Sequence, residues 1–351
     1  MKILISPDKF KGSLSAQEVC EAVHRGIKRF DDKIGTVFHP LADGGEGTLE
    51  NLESSLDLKT LYAAVNDPLF RPIKAEYKMS KESAYIEMAA ASGLPLLTEE
   101  ERNCLYTTTF GTGELILDAV KNGARHIYLF VGGSATNDAG IGMAAALGYQ
   151  FFDSENRQIT PIGGELNKLD RIEKANLKFD LDQIRITVVC DVKNPLFGLE
   201  GAAYIYGPQK GANAEEIKLL DDGLRNFSKV VESNFGMDIS KLEGGGAAGG
   251  ISAGAVVFLN ADIKPGIQTI FEITEYEKKL DSIDLIITGE GKLDLQTIHG
   301  KVIHGVDQIS SKYGIPYAII CGIAEDLEML ERELNASQIL QIKSPEMSLA
   351  S

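Results

Sequence analysis

The stretch HIYLFVGGSATNDAGIGMAAALG, residues 126–148, shows most clearly which class of fold the chain adopts. It opens with an apolar run that predicts a buried strand, and it closes with a run of Ala and Gly that predicts a helix. Between them a glycine pair is followed by Ser134, Thr136, Asn137 and Asp138. A loop of this composition is either a tight turn that caps the helix or a cradle for an anionic ligand.

Short apolar runs alternate with helical patterns along the rest of the chain, and this alternation predicts an α/β fold with mostly parallel sheets. At both ends of the chain predicted strands alternate with predicted helices, whereas the middle also contains strands joined by short turns, which indicates antiparallel pairing. We therefore expect a discontinuous α/β domain at 1–72 plus 265–351 and an inserted α/β domain at 73–264. The active site is expected in the cleft between them.

Composition excludes several classes of function. The chain has 351 residues and a formal net charge of −16, which argues against nucleic acid or an anionic membrane as the partner. Small-molecule substrates are expected instead, and the oligomeric state is left open. The N-terminus, MKILISPDKF, lacks the apolar run of a signal peptide, and the default expectation is a cytoplasmic protein.

The cysteines and histidines give no metal or disulfide pattern. Cys20, Cys104, Cys190 and Cys321 are far apart, with no CxxC spacing, and buried thiols are expected. The five histidines show no ligand spacing, and no GxSxG segment follows a predicted strand as a nucleophile elbow would. Zinc and hydrolase-triad chemistry therefore have no support.

Glycine stands beside Asp or Lys after most of the predicted strands. These segments are PDKFKGSLSA, ADGGEGT, GGSATNDAG, DVKNPL, GPQKGAN (after a strand predicted at 202–206) and GEGKLDLQTIHGK. Ligands of open α/β sheets bind at the carboxyl ends of strands, and these side chains are those that phosphoryl transfer requires. Any one segment alone is as well explained by a turn, and any one lysine by a solvated side chain.

The sequence gives little support for either common nucleotide-binding motif. The P-loop pattern GxxxxGK[ST] does not occur. Gly244–Gly249, GGGAAG, satisfies GxGxxG, but no strand is predicted before it. It is interpreted as a flexible loop that approaches phosphate, acts as a hinge, or links the domains.

The ordered set of motifs resembles the bacterial type I glycerate kinases from residue 1 to about 345. The segments that carry the resemblance are SPDKFKGSLSA, ADGGEGT, EMAAASGL, TTTFGTGELI, GGSATNDAGIGMAAALG, CDVKNPLFG, GPQKGA and TGEGKLDLQT followed by GK. The chain departs from that pattern at Lys9 and Gly12, and it ends at SPEMSLAS where the family continues with a helix.

The resemblance implies a kinase that uses ATP and Mg²⁺ and converts D-glycerate into a phosphoglycerate, most often 2-phosphoglycerate. It also implies two unlike α/β domains, one flavodoxin-like and one resembling restriction endonucleases. Which hydroxyl of glycerate is phosphorylated is not decided by the residues.

A kinase for a small hydroxy acid needs an acidic centre, and we expect it at Asp8, Asp43 and Asp191. One of them would accept the hydroxyl proton, and Asp43 and Asp191 are the expected ligands of Mg²⁺. Lys11 is expected to contact an anion in the same centre. The residues expected to bind substrate or phosphate are Ser134, Thr136, Asn137, Lys210, Glu290, Asp294 and Lys301.

Several of these expectations have alternatives. Lys301 opens a predicted helix, where a bound anion would explain a cation, but it is also explained as an exposed lysine. Glu290 and Asp294 flank a loop that could close over substrate, and Asp294 could instead cap a helix. Two other classes of function stay open: a hydroxy-acid dehydrogenase with a nicotinamide cofactor, and a sensor that binds an anion without turnover.

Overall fold

The structure is a computed structural model that describes residues 1–42, 44, 45, 47–53, 55–174, 176, 178–180, 183–294, 297 and 301–342. The strands are β1 (Lys2–Ile5), β2 (Gly35–Phe38), β3 (Lys59–Asn66), β4 (Pro72–Ser80), β5 (Ser83–Glu87), β6 (His126–Phe130), β7 (Tyr149–Phe152), β8 (Arg171–Lys174), β9 (Arg185–Val189), β10 (Asp262–Lys264), β11 (Leu285–Leu293), β12 (Tyr317–Ala324) and β13 (Gln338–Gln341). The helices are α1 (Ala16–Phe30), α2 (Thr48–Glu53), α3 (Ala89–Ser92), α4 (Phe110–Lys121), α5 (Ile141–Leu147), α6 (Ala202–Tyr206), α7 (Ala214–Phe235), α8 (Ala247–Leu259), α9 (Gly266–Ile273), α10 (Val302–Tyr313) and α11 (Leu327–Glu333).

The chain divides into two compact units. Unit 1 comprises Met1–Asp57 and Pro265–Ser351, and unit 2 comprises Leu58–Lys264. The first boundary lies earlier than residue 72, where the sequence suggested it, because β3 pairs along its whole length with β4. Strand pairing assigns β3 to unit 2, a relationship that local sequence does not reveal.

Unit 1 is built on a five-stranded sheet in the order β13-β12-β11-β1-β2, and its strand pairs are parallel. Counted along unit 1 alone, the spatial order is 2-1-3-4-5, which is the order of flavodoxin. Ile3, Leu4 and Ile5 of β1 are all buried, as expected for a central strand covered on both faces. The point where the strand order reverses lies between β1 and β11.

Unit 2 is built on a six-stranded mixed sheet in the order β10-β9-β6-β5-β4-β3. The β5–β6, β6–β9 and β9–β10 pairs are parallel, whereas the β3–β4 and β4–β5 pairs are antiparallel. A small hairpin of β7 and β8 forms a second sheet. The carboxyl ends of β6 and β9 therefore lie side by side at one edge of the main sheet.

Local signals explain where the two longest helices begin. Ser15 and Glu18 form a capping box at α1, and Asn213 and Glu216 form another at α7. Helix α7 ends at Gly236, whose φ of 67° is left-handed. The described helices include none long and apolar enough to cross a membrane.

The structure corrects one predicted strand and one predicted loop. Residues 202–206 form helix α6 rather than a strand: the element packs against α7 and α8, with Ala202 and Ala203 buried, and a short apolar run satisfies either period. Strand β11 continues to Leu293, since it pairs with β12 beyond the end of β1. Glu290 is therefore a strand residue and not part of a loop.

Candidate active site

In unit 1 the first candidate group lies at the point where the strand order reverses. Asp8 follows β1, and its backbone N–H donates to the carbonyl oxygen of Gly289 on β11 at 2.8 Å. The loop after β1 thus runs alongside β11, whose residues extend past the end of β1. In doubly wound sheets this is the place where ligands bind.

The backbone of this loop packs directly on β11 at Gly291. A Cβ atom at residue 291 would lie 3.2 Å from both the backbone nitrogen of Lys11 and the Cα atom of Phe10. Asp8 is half-buried, and its carboxylate accepts the backbone N–H of Lys9 at 2.7 Å. Lys11 is exposed. The loop therefore presents one partly shielded carboxylate and one solvated ammonium group.

A pocket of about 300 Å³ opens beside the same loop. Lys9 and Lys11 line it together with the polar side chains of Ser13, Ser15 and Asn51. Glu50 is the one acidic side chain among its described lining residues. The size and the two ammonium groups suit a small anion more than an apolar ligand.

Among the other unit 1 candidates, Glu290 and Asp294 are already hydrogen-bonded within the unit. The hydroxyl of Thr297 donates to Glu290 Oε1 at 2.6 Å, and the backbone N–H of Asp294 donates to that same hydroxyl oxygen at 3.1 Å. Glu290 therefore links β11 to the segment that follows it. Lys301 is the residue immediately before α10. Asp43 lies outside the described residues, and so does the C-terminal segment 343–351.

In unit 2 the candidate residues follow neighbouring parallel strands. Ser134 is in the loop after β6, and Asp191 lies two residues after β9. Because the carboxyl ends of parallel neighbours meet at one edge of a sheet, the topology brings these two segments together. Asp191 is exposed, whereas Ser134 is only 5% exposed.

The loop after β6 is held from two sides by the unit 2 backbone. The N–H of Ala135 donates to the carbonyl of Ser92 at 2.9 Å, and the N–H of Leu94 donates to the carbonyl of Gly133 at 2.9 Å. The hydroxyl of Thr107 donates to the carbonyl of Ala135 at 2.8 Å. The segments EMAAASGL and TTTFGTGELI of the sequence are thus the supports of this loop.

Asp138 links the loop to the starts of α4 and α5. Its carboxylate accepts the backbone N–H and the hydroxyl of Thr109, both at 2.8 Å, and the backbone N–H groups of Gly140 and Gly142. Burial raises the pKa of Asp138 above its usual range, and the hydrogen bonds from Thr109, Gly140 and Gly142 oppose that shift. Helix α5 begins at Ile141, so Asp138 lies in the loop before the helix and is not its first residue.

Lys210 is in the core of unit 2 and not at a strand end. It closes a 3₁₀ turn, Pro208–Lys210, after α6, and it is 2% exposed. Its Nζ donates to Ser134 Oγ at 2.8 Å and to the carbonyl of Thr136 at 2.7 Å. Burial lowers the pKa of Lys210 to about 8, and the nearby Cys104 and Asp138 oppose the shift.

The glycine-rich segment 244–249 packs against the same loop. The N–H of Ala139 donates to the carbonyl of Gly249 at 3.0 Å. Residues 248–250 have positive φ, so α8 is regularly helical only from Ile251. No strand directly precedes this segment within the described range 183–294, so it lacks the strand that a dinucleotide-binding turn requires. The segment is a packed support of the loop and not a linker between the units.

Three buried polar atoms of the loop find no hydrogen-bond partner among the described residues: Thr136 Oγ1, Asn137 Oδ1 and Asn137 Nδ2. Such atoms are uncommon in folded proteins and call for a bound water or ligand. Both residues are fully buried. Because the atoms are enclosed, they reach a ligand only through a bound water or a shift of the loop.

Sequence reasoning selected Ser134, Thr136, Asn137 and Lys210, and the structure brings these four together. It missed the role of Thr109 and Asp138, which shape the loop without facing solvent. The run TTTFG marks the start of α4, but Thr109 makes no capping hydrogen bond there and donates to Asp138 instead, a contact that no local pattern indicates. Within the described residues there is no group of three or more His, Cys, Asp or Glu that could hold a metal ion by itself.

Comparisons with known proteins agree with this fold. The chain is 43% identical over 328 residues to the Escherichia coli K12 protein named glycerate 2-kinase, which covers 93% of this chain and 86% of that one. It is 43% identical over 324 residues to the Bacillus subtilis glycerate kinase, covering 92% and 85%. A crystal structure of a Salmonella typhimurium LT2 protein assigned to glycerate kinase 2 superposes with a TM-score of 0.89 at 40% identity, over 99% of this chain and 92% of that one.

The model of one protein family matches nearly the whole sequence. It is described as the glycerate kinase family, and it matches residues 3–351. The match includes every segment on which the resemblance rested, and it leaves the dehydrogenase alternative without support. The chain therefore belongs to the glycerate kinase family.

Proposed function

We propose that the protein transfers the γ-phosphoryl group of ATP to D-glycerate and forms 2-phosphoglycerate. The observation that carries this proposal is the 43% identity over 328 residues to the protein named glycerate 2-kinase. Phosphoryl transfer demands positioning and charge stabilisation more than covalent chemistry. The chain offers both, on loops at the carboxyl ends of parallel strands.

In unit 1 we infer that Asp8 accepts the proton of the attacking hydroxyl. Its half-buried carboxylate lies at the reversal of strand order, and its backbone is anchored on β11. Lys11 and the pocket beside it would neutralise an anionic oxygen of glycerate or of the nucleotide. A lysine is suited to this role because its ammonium group is a mobile point charge.

In unit 2 we infer that Asp191 is a ligand of Mg²⁺. Mg²⁺ is held in kinases by one or two carboxylates together with substrate phosphates, and an exposed Asp at a strand end fits that donor set. When bound, the ion would neutralise charge on the phosphates of ATP. Asp43 is the second candidate ligand, and it lies outside the described residues.

The loop after β6 is proposed as the binding loop for phosphate or carboxylate. The unpartnered polar atoms of Thr136 and Asn137 support a ligand site more than a plain turn. Ser134, which retains slight exposure, would donate directly. Lys301, at the start of α10, is proposed as a further anion contact. Glu290 and Asp294 are proposed to hold the segment after β11 near the substrate rather than to bind it.

The experiment that tests the function is ADP release with Mg·ATP and D-glycerate, with the product identified by phosphorus NMR. The expected result is ADP release that requires glycerate, with a resonance of 2-phosphoglycerate. A resonance of 3-phosphoglycerate would overturn the proposed position of transfer. Binding of glycerate and ATP to folded protein without any ADP release would favour the sensor alternative.

The acidic residues are tested by Asp8→Asn and Asp191→Asn. Each is expected to lower kcat by about 10²-fold or more, the scale of general acid–base or metal-ligand contributions. Asp222→Asn is the matched control, because Asp222 is an exposed Asp on α7. Near-normal kcat in either test variant would remove that residue from the proposed centre. For Asp191, a kcat that excess Mg²⁺ partly restores would support the role as metal ligand.

A further inference from the structure

A lysine is seldom buried, and the burial of Lys210 has a specific structural consequence. Lys210 is 2% exposed and reaches into unit 2 from the turn between α6 and α7. Its ammonium group donates to Ser134 Oγ and to the carbonyl of Thr136. Both acceptors belong to the loop after β6. One side chain therefore fastens this loop at two points.

The bond to Ser134 decides what the serine hydroxyl can do. A protonated ammonium group has only donors, so Ser134 Oγ must be the acceptor in this contact. The hydroxyl proton of Ser134 is then left to donate elsewhere. It meets no other acceptor within the part of the chain that the structure describes. Ser134 is 5% exposed, whereas Thr136, Asn137 and Asp138 are fully buried, so among the polar side chains of the loop the Ser134 hydroxyl is the one that retains access to a ligand.

We propose that Lys210 is a positioning residue that holds the hydroxyl of Ser134 as a hydrogen-bond donor toward an anionic oxygen of the substrate or nucleotide. Lys210 acts through Ser134 and does not touch the anion. Two of its donors are committed to the loop, and the side chain is enclosed by protein. This inference rests on the proposed function of the loop as an anion site. It replaces the direct anion contact that the sequence alone suggested for Lys210.

The same geometry makes the orientation of the hydroxyl depend on pH. Burial lowers the pKa of Lys210 to about 8, and the groups that act on its charge are Cys104 and Asp138. Burial raises the pKa of Cys104 to about 11, so this thiol stays protonated where Lys210 titrates. A neutral amine has a lone pair that can accept the proton of Ser134. Above this pKa, the hydroxyl can therefore turn away from the ligand.

The first test is a double-mutant cycle of Ser134→Ala and Lys210→Met on the KM values for D-glycerate and ATP. Each single variant is expected to raise one of the two KM values by about tenfold or more, the scale of a lost hydrogen bond to a charged group. The double variant is expected to resemble the single variants, because both remove the same oriented donor. Independent, multiplicative effects would overturn the proposal. Circular dichroism checks that Lys210→Met is folded.

The second test needs no change at Lys210. The affected KM of the wild type is expected to rise by up to about tenfold between about pH 7 and about pH 9 as Lys210 loses its proton. Ser134→Ala is expected to lack this rise, because it has no hydroxyl to reorient. Ionisation of the substrates affects both proteins equally, so it cancels when the KM of the wild type is divided by the KM of Ser134→Ala at each pH. If Ser134→Ala retains the wild-type rise, the lysine charge acts directly on the ligand and the proposal is wrong.

The positioning role of Lys210 can be tested even if the proposed kinase function is wrong. If the wild type does not turn over D-glycerate, the proposed function fails, and the same cycle is measured by calorimetry with inorganic phosphate as the probe. Weaker phosphate binding in both single variants, with no further loss in the double variant, would still support the positioning role. Phosphate affinity unchanged by Ser134→Ala, or no binding to the wild type, would overturn it.

Discussion

At the scale of single residues, buried polar side chains determine the shape of the candidate site. Asp138 is fully buried and accepts four hydrogen bonds from three residues. Its carboxylate satisfies backbone N–H groups near the starts of α4 and α5 that would otherwise be buried without partners. One side chain thus replaces several backbone acceptors and stabilises the conformation of the loop after β6.

Asp138→Asn is expected to destabilise unit 2 by about 3 kcal/mol, because an amide nitrogen would replace one acceptor oxygen and face N–H donors. The urea midpoint, followed by circular dichroism, measures the loss. Asp222→Asn, at an exposed position of α7, is the control and is expected to stay within about 0.5 kcal/mol of the wild type. An unchanged midpoint for Asp138→Asn would mean that the donors find other acceptors.

His39 is a second buried polar residue, and its protonation state affects the stability of unit 1. It lies beyond β2, its Nδ1 is 2.8 Å from Lys279 Nζ, and its Nε2 is 3.0 Å from Thr274 Oγ1. Because the Thr274 hydroxyl donates to the carbonyl of Ile270, its oxygen must accept from Nε2. Burial, followed by the charge of Lys279, lowers the pKa of His39 to about 3. The folded protein therefore holds this imidazole neutral.

This pKa makes the stability of unit 1 depend on pH. The folded pKa lies below the usual value of 6.5, so the unfolded chain binds the proton first and stability falls as pH drops below about 6.5. Between about pH 7.5 and about pH 5 the loss attributable to His39 is about 2 kcal/mol. His39→Gln is expected to flatten the pH dependence of the urea midpoint. His304→Gln, on α10, is the control and should keep the wild-type slope; equal slopes for all three proteins would contradict the assignment.

At the scale of elements, close packing of glycine-rich backbone places the loop after β6. A Cβ atom on Gly249 would lie 1.9 Å from the carbonyl oxygen of Thr136 and 2.6 Å from the Cα atom of Asn137. Gly249 also has a φ of 74°. The segment therefore needs glycine at this position for both space and conformation. Its likeness to a dinucleotide-binding motif is a by-product of that packing.

Gly249→Ala is expected to prevent folding of unit 2 or to destabilise it by more than about 4 kcal/mol, because the new methyl group would overlap backbone that cannot move aside. Gly236→Ala is the matched control. Gly236 has a φ of 67° and nothing within 4 Å of an added Cβ. Its cost is the backbone strain alone, about 1–2 kcal/mol. Equal losses for the two variants, measured by thermal unfolding, would contradict the role of packing.

At the scale of the whole molecule, unit 2 is one continuous stretch of chain with its own core. The large hydrophobic cluster of buried residues extends from Ala63 to Ala261, entirely within Leu58–Lys264. Unit 1 is assembled from two separate stretches of chain. A contiguous segment with a complete core has the properties of an independently folding domain.

A fragment of residues 58–264 is therefore expected to fold alone. It should give a cooperative thermal transition and a dispersed amide NMR spectrum. It should have no glycerate kinase turnover, because Asp8 and Lys11 are outside the fragment. A fragment with molten-globule spectra would show that unit 2 needs unit 1 for its stability. Turnover by the fragment would remove Asp8 and Lys11 from the proposed centre.

The α/β class, the family resemblance and the regular elements with strong local signals follow from the sequence alone. Helices α1 and α7 are of this kind, because amphipathic spacing and capping boxes are local properties. The candidate loop was also found from sequence, since glycine and hydroxyl residues after a strand are a local pattern. Residues 202–206 were assigned wrongly, because a short apolar run satisfies either period.

Which polar groups are buried in the fold and which stay exposed depends on the tertiary structure. Lys210 and Lys11 look alike in sequence, each beside a glycine, yet one is buried beneath Ser134 and the other is exposed. Thr109 and Asp138 meet across the fold, and Gly249 meets Thr136 from a segment more than a hundred residues away. Such contacts depend on how strands and helices pack, which no local pattern encodes. The unit boundary before β3 was likewise set by pairing with β4 and not by composition.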